Sequence, residues 1–212
     1  MTANATLHAL IQDLNIRLSA GARVTETLLA WCDEHGLSKG PISVECCLRQ
    51  VLVAVPDEVS AALAPTKHET VHFRQVRIMR GPLPLAMAEN WFVPQRLAAG
   101  MSDVLQTTRV PFGTVIAPLR PSRRILAAQV RPIRSALCED WSRHTAAAHP
   151  LLSTIILEHE AVICSGTGAV LACVKEKFFS ELVAFAASEP ARQVVDERSR
   201  AESVMQHEEL EP

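Results

Sequence analysis

Residues 70–93 read TVHFRQVRIMRGPLPLAMAENWFV. Val71 and Phe73 alternate with polar residues, and Val76 and Ile78 do the same after a slip of one position. Alternation of period two over β-prone residues spells a half-buried strand from Thr70 to Met79, and the slip reads as a β-bulge. Arg80-Gly81-Pro82-Leu83 carries turn chemistry, and a second strand follows over Leu85–Val93. Together they make an antiparallel hairpin.

The flanks extend this pattern. Upstream, Leu7, Leu10, Ile11 and Leu14 recur at helical spacing between Ala5 and Asn15, and Leu28, Leu29 and Cys32 do so between Thr25 and Glu34, with Gly36 as a stop. Ile42–Val55 is rich in Val, Ile and Cys and reads as a strand closed by Pro56. Asp57 is placed to cap a short helix ending at Leu63. Downstream, Pro94 opens a helix that places Leu97, Met101, Val104 and Leu105 on one face. Arg124–Val130, Leu151–Ile163 and Ala169–Val174 read as strands, Ser135–Ala147 and Phe178–Ala187 as helices, and Ser165–Gly168 as a turn. Strands joined by hairpins, with helices between and beside them, predict an α+β fold: an antiparallel sheet with helices packed on one face. The organisation expected is one domain over residues 1–190 and a polar, flexible tail over 191–212.

Composition narrows the function classes. The 212 residues are 48% hydrophobic and 21% charged with a net charge of −2, enough apolar mass for a core and no basic excess to attract nucleic acid or an anionic membrane. Aromatics are 4% and Tyr is absent, which argues against a base-stacking surface. The N-terminus lacks a basic region followed by an apolar one, and no run of 18 apolar residues occurs, so the expected location is the cytoplasm. Cys32, Cys46, Cys47, Cys138, Cys164 and Cys173 are scattered without C-x-x-C spacing and read as small buried hydrophobes in a reducing compartment, with a zinc site or a disulfide set as the alternative. No G-x-G-x-x-G or phosphate-binding loop is present. Composition does not define an oligomeric state.

Three segments, in order, resemble one family. Phe73-Arg74-Gln75-Val76 leads through the turn to Glu89-Asn90-Trp91-Phe92-Val93-Pro94. Thr107 to Gly113 matches a T-x-x-x-P-L-G loop with Phe112 in place of leucine. Gly168 to Phe179 contains Glu176 in a terminal strand, followed by aromatics. Over about residues 70–187 this pattern resembles the bacterial chorismate lyases and their shorter relatives; Arg23-Val24-Thr25 extends it more weakly. The resemblance implies elimination of pyruvate from chorismate to leave 4-hydroxybenzoate, with no cofactor and no metal. It assigns Arg74 to the ring carboxylate and Glu176 to the hydroxyl end. Val24, Phe112 and Gly113 would line the pocket. The chemistry suits those residues: an arginine forks two donors onto a carboxylate, and a glutamate desolvated by apolar walls can hold or relay a proton. The partner expected is therefore a small carboxylate-bearing substrate, with neither nucleic acid nor membrane.

Plainer readings stand beside these. On a strand Arg74 can be a solvated charge, Lys175-Glu176-Lys177 a solvated strand end, and Pro111-Phe112-Gly113 only a turn. The chain also departs from the family, which carries an arginine where Glu158-His159-Glu160 stands here. Arg120, Arg123, Arg124, Arg131 and Arg134 either substitute for it or form a solvated strand edge. The departure opens one alternative, a lyase or cyclase of secondary metabolism acting on another carboxylate; a second is a non-catalytic small-ligand-binding domain, since the effector domains of some transcription regulators share the general fold that the resemblance implies. His68-Glu69-Thr70-Val71-His72 spells H-E-x-x-H, but zinc chemistry needs that motif on a helix, and here a strand follows it.

Overall fold

The fold is a computed structural model described over residues 3–21, 23–52, 54–131 and 154–186. The expected helix over 135–147, the tail over 191–212, Cys138 and Arg134 lie outside the described residues.

Six strands form one sheet in the order β1-β2-β3-β6-β5-β4, and every neighbouring pair is antiparallel. They are β1 (Ile42–Leu52), β2 (Val71–Arg80), β3 (Leu83–Phe92), β4 (Ser122–Val130), β5 (Ile155–Cys164) and β6 (Val170–Phe179). The helices are α1 (Ala3–Ala20), α2 (Val24–Glu34), α3 (Asp57–Leu63), α4 (Met101–Thr107) and α5 (Phe112–Val115). The α+β class read from the sequence is the class observed.

The slip in β2 has a different cause from the one expected. Successive strand residues point to opposite faces. Val71 and Phe73 therefore face one way, into a cluster with Val59 and Leu63 of α3 and Trp91. Val76 and Ile78 face the other way, into a cluster with Leu28 and Trp31 of α2 and Ile11 and Leu14 of α1. The apolar pattern slips because the covered face changes along one regular strand. The extra residues lie in the neighbouring strands: in β1 the register jumps from Cys46–Val76 to Leu48–Gln75 and leaves Cys47 over, and in β3 it jumps from Ala86–Ile78 to Pro84–Met79 and leaves Leu85 over. It follows that helices occupy both faces, α3 against α1 and α2, rather than one.

Other boundaries move for visible reasons. α1 runs to Ala20 because Leu18 continues the buried stripe of Leu7, Ile11 and Leu14. Full burial of each such side chain contributes about 1.5–3 kcal/mol. Asp57 is the first helical residue of α3, with Pro56 at the cap position. The helix expected from Pro94 is broken: residues 94–96 make one 3₁₀ turn, and Gly100, at φ +79°, precedes α4. β6 continues through Phe179, and a 3₁₀ turn over Ser180–Leu182 replaces the start of the expected final helix. Leu182 carries the carbonyl that accepts the buried Trp31 Nε1–H at 2.8 Å, which ties α2 to the end of the sheet. Cys32 and Cys173 are buried as expected, Cys46 and Cys164 are half-buried, and Cys47 is exposed on its bulge.

Candidate functional site

On one face of the sheet, α2 covers part of the central strands and α5 another part. Between them lies a pocket of about 630 Å³, its open mouth included. Val24 at the start of α2 and Phe112 at the start of α5 both line it, with Val76, Ala88 and Val174 of the sheet among the other lining residues. Gly113 lines the same wall, where an added Cβ would meet the Arg23 side chain at 3.6 Å.

The polar end of the pocket is made by Glu176 and Arg123. Glu176 lies on β6 opposite Ala88 and His159, in the row of residues that faces the helices. Only 7% of it is exposed. Arg123, on edge strand β4, has a side chain 3% exposed and forms an ion pair with Glu176. Its Nη1 also donates to the Leu18 carbonyl at 2.9 Å, and its Nη2 to His159 Nδ1 at 3.3 Å. His159 Nε2 meets Asn15 Oδ1 of α1 at 2.7 Å. With Nδ1 accepting and Nε2–H donating, the ring is the neutral Nε2–H tautomer. Burial and the adjacent Arg123 charge push His159 down to about 4, which keeps it neutral. Burial pushes the Glu176 carboxyl up, and Arg123 offsets part of that rise.

Arg123 belongs to the arginine group for which the sequence leaves two readings, a substitute for the missing arginine or a solvated strand edge. β4 is largely exposed, as an edge strand is, but Arg123 is oriented inward over β5. Its signal was indirect: it is one of five arginines that could stand in for the one the resemblance implies at Glu158-His159-Glu160. Arg131 does lie on the surface, paired with Glu158 at 2.8 Å.

Arg74 and Glu176 do not share this pocket. Arg74 is 1% exposed and lines a second cavity of about 340 Å³ with Arg49, His72 and Gln106. Its Nη1 donates to the Val110 carbonyl at 3.0 Å and its Nη2 to that of Thr108 at 3.2 Å. Arg49 donates to the same Thr108 carbonyl at 2.6 Å. Arg74 thus fastens the Thr107–Gly113 segment, and so the Phe112 wall, to the sheet.

The H-E-x-x-H residues are divided. His72 lies on β2 with Nδ1 2.7 Å from Gln106 Nε2, while Glu69 holds Arg96. Among the described residues no cluster of three or more His, Cys, Asp or Glu side chains could hold a metal ion. Among the same residues no helix is long and apolar enough to cross a membrane.

The chain is 30% identical over 187 residues to the uncharacterized protein y4mC of Sinorhizobium fredii, a match spanning 84% of this chain and 77% of that one. The chain belongs to the y4mC family. No protein-family model matches it. Among solved structures, the effector domain of PhnF from Mycobacterium smegmatis is similar at 13% identity and a TM-score of 0.49, covering 76% of this chain and 90% of that domain. A GntR-family transcriptional regulator from Bacillus cereus is similar at 11% identity and a TM-score of 0.41, covering 66% of this chain and 92% of the other. What distinguishes this member of the y4mC family chemically is therefore read from its own pocket.

Proposed function

We propose that the chain binds a small organic acid in the pocket between α2 and α5. The observation that carries this reading is a buried arginine–glutamate pair, Arg123–Glu176, facing a cavity whose remaining lining is mostly apolar, with Arg23, Thr25 and Asn90 as its other polar residues. A guanidinium in so dry a setting attracts a carboxylate more strongly than one in water. Glu176 can accept a hydrogen bond from a hydroxyl on the same molecule, and Val24 and Phe112 enclose its apolar body. Arg23, half-exposed and paired with Glu26, also lines the cavity and adds a second guanidinium to it.

Turnover of chorismate is the second reading, and the raised Glu176 carboxyl favours it. In that reaction the bond between the ring carbon and the ether oxygen breaks, enolpyruvate leaves, the ring loses a proton and aromatises, and the proton ends on the leaving group, which becomes pyruvate. The protein has mainly to orient the ring and to hold or relay one proton. Glu176 would do the latter, Arg123 would take over the carboxylate contact, and Arg74 would support the Phe112 wall from the neighbouring cavity.

Two measurements test both readings. Calorimetry with 4-hydroxybenzoate tests binding, and a coupled pyruvate assay on chorismate tests turnover. Binding that is lost in Arg123→Ala, without turnover, supports the binding domain. Equal yields of pyruvate and 4-hydroxybenzoate that vanish in Glu176→Ala support the lyase. A wild-type protein that neither binds nor turns over contradicts the small-acid reading.

A further inference from the structure

We infer that His159 and Asn15 are positioning residues that hold Arg123 on the pocket, so that helix α1 is part of the binding site although no residue of it lines the cavity. The inference rests on the small-acid reading for its consequence, but its geometry stands independently. Arg123 approaches from an edge strand whose other residues are mostly exposed, and a long side chain there has rotamer freedom and water to return to. Keeping it buried requires acceptors for its donors. Three are supplied to Nη1 and Nη2, the Glu176 carboxylate, the Leu18 carbonyl and His159 Nδ1, while the buried Nε has no partner among the described residues. Of these, a ligand carboxylate competes only with Glu176. The other two set where the guanidinium lies before and after binding.

His159 can accept through Nδ1 only if its proton is on Nε2, and Asn15 Oδ1 at 2.7 Å fixes that tautomer. The ring itself is clamped, 1% exposed and edge-on to Phe178 at 5.4 Å between centroids. Around it lie Arg123 of β4, Glu176 of β6 and Asn15 of α1. Asn15 and Leu18 belong to successive turns of α1, so one helix supplies both the tautomer lock and the direct acceptor. An arginine at position 159 would supply the charge directly; here histidine supplies an acceptor, and the charge comes from the next strand.

The experiment compares wild type with His159→Leu, His159→Asn and Asn15→Ala, each first shown to unfold cooperatively. An asparagine Oδ1 occupies the place of histidine Nδ1, so His159→Asn keeps the acceptor and His159→Leu removes it. The first readout is affinity for 4-hydroxybenzoate; the second is the titration midpoint of the Glu176 carboxyl by carbon NMR, which needs no ligand. The expected result is about tenfold weaker binding in His159→Leu, restored most of the way in His159→Asn. The Glu176 midpoint should rise in His159→Leu as Arg123 drifts away and return in His159→Asn. Should His159→Leu not fold, Asn15→Ala should give the same two changes in smaller measure. A folded His159→Leu or Asn15→Ala protein with an unchanged Glu176 midpoint overturns the inference. If wild type does not bind 4-hydroxybenzoate, the small-acid reading fails, and the Glu176 titration still decides the positioning role.

Discussion

Arg123 and Glu176 lie on strands that do not touch, β4 and β6, and they meet over the face of β5. In the ladder Arg123 is opposite Ile163 and Glu176 opposite His159, so the contact is also diagonal along β5. The pair exists only because a long side chain leans across its neighbour, and His159 lies beneath the crossing.

His159 should make the protein acid-sensitive well above the range of ordinary carboxylates. Its folded-state value lies near 4 against 6.5 for the free side chain. For a depressed histidine, the stabilising contribution is fully present above 6.5 and is lost as pH falls toward 4. The linked loss is at most about 3 kcal/mol. Urea unfolding at stepped pH should show stability declining across that window in wild type, and a flatter profile in His159→Asn.

Glu176 should act in the opposite sense. Its carboxyl is raised above 4.5 by burial. The stability contributed by its protonated form is present below 4.5 and is lost as pH rises through the folded-state value. Measured against Glu176→Gln, the wild-type protein should therefore lose relative stability as pH climbs above 4.5. A difference between the two that stays constant with pH would show that Glu176 is not desolvated.

Arg123→Ala should cost more than the ordinary surface substitution on an edge strand. Removing one partner of a buried ion pair leaves the other charge unpaired, at about 3–5 kcal/mol. The loss should shrink at acid pH, where Glu176 can take up a proton. Denaturation midpoints at neutral and acid pH check both statements.

Arg96 should be the most stabilising arginine outside the pocket. It bridges both Glu69 oxygens at 2.7 Å and donates to the carbonyls of Leu63, Ala64 and Val170. It thereby serves the orphan carbonyls at the end of α3 and joins that helix to β6. The same contact holds Glu69 down at about 2. Arg96→Ala should cost about 2–4 kcal/mol, and Arg96→Lys should recover only part, since an ammonium cannot reproduce the planar fork. Thermal unfolding of the two variants makes the comparison.

The strand hairpin was legible because Gly81 and Pro82 carry turn chemistry between two β-prone runs; Gly81 adopts φ +54°, the conformation that a two-residue loop gives to glycine. The α1 and α2 stripes were legible for the same local reason, spacing. The slip at Phe73–Val76 was misread because one strand buried on different faces at its two ends looks like a bulge in sequence. The Pro94 helix was overextended because Leu97 fits the stripe while Gly100 breaks the backbone. In the site, Val24, Phe112, Gly113 and Glu176 are gathered around one pocket, whereas Arg74 lines another. Arg123 could not be placed because nothing local distinguishes an edge-strand arginine that turns inward from one that turns outward. Its burial depends on Asn15, Leu18 and His159, which are distant in sequence.

The most direct test of the central claim is a methyl NMR titration of the full chain with 4-hydroxybenzoate. The account predicts saturable shifts at Val24, Val76 and Ile116, which line the Arg123–Glu176 pocket, and their loss in Arg123→Ala. No saturable shift, or shifts confined to Val51 and Leu105 at the Arg74 cavity, would contradict it.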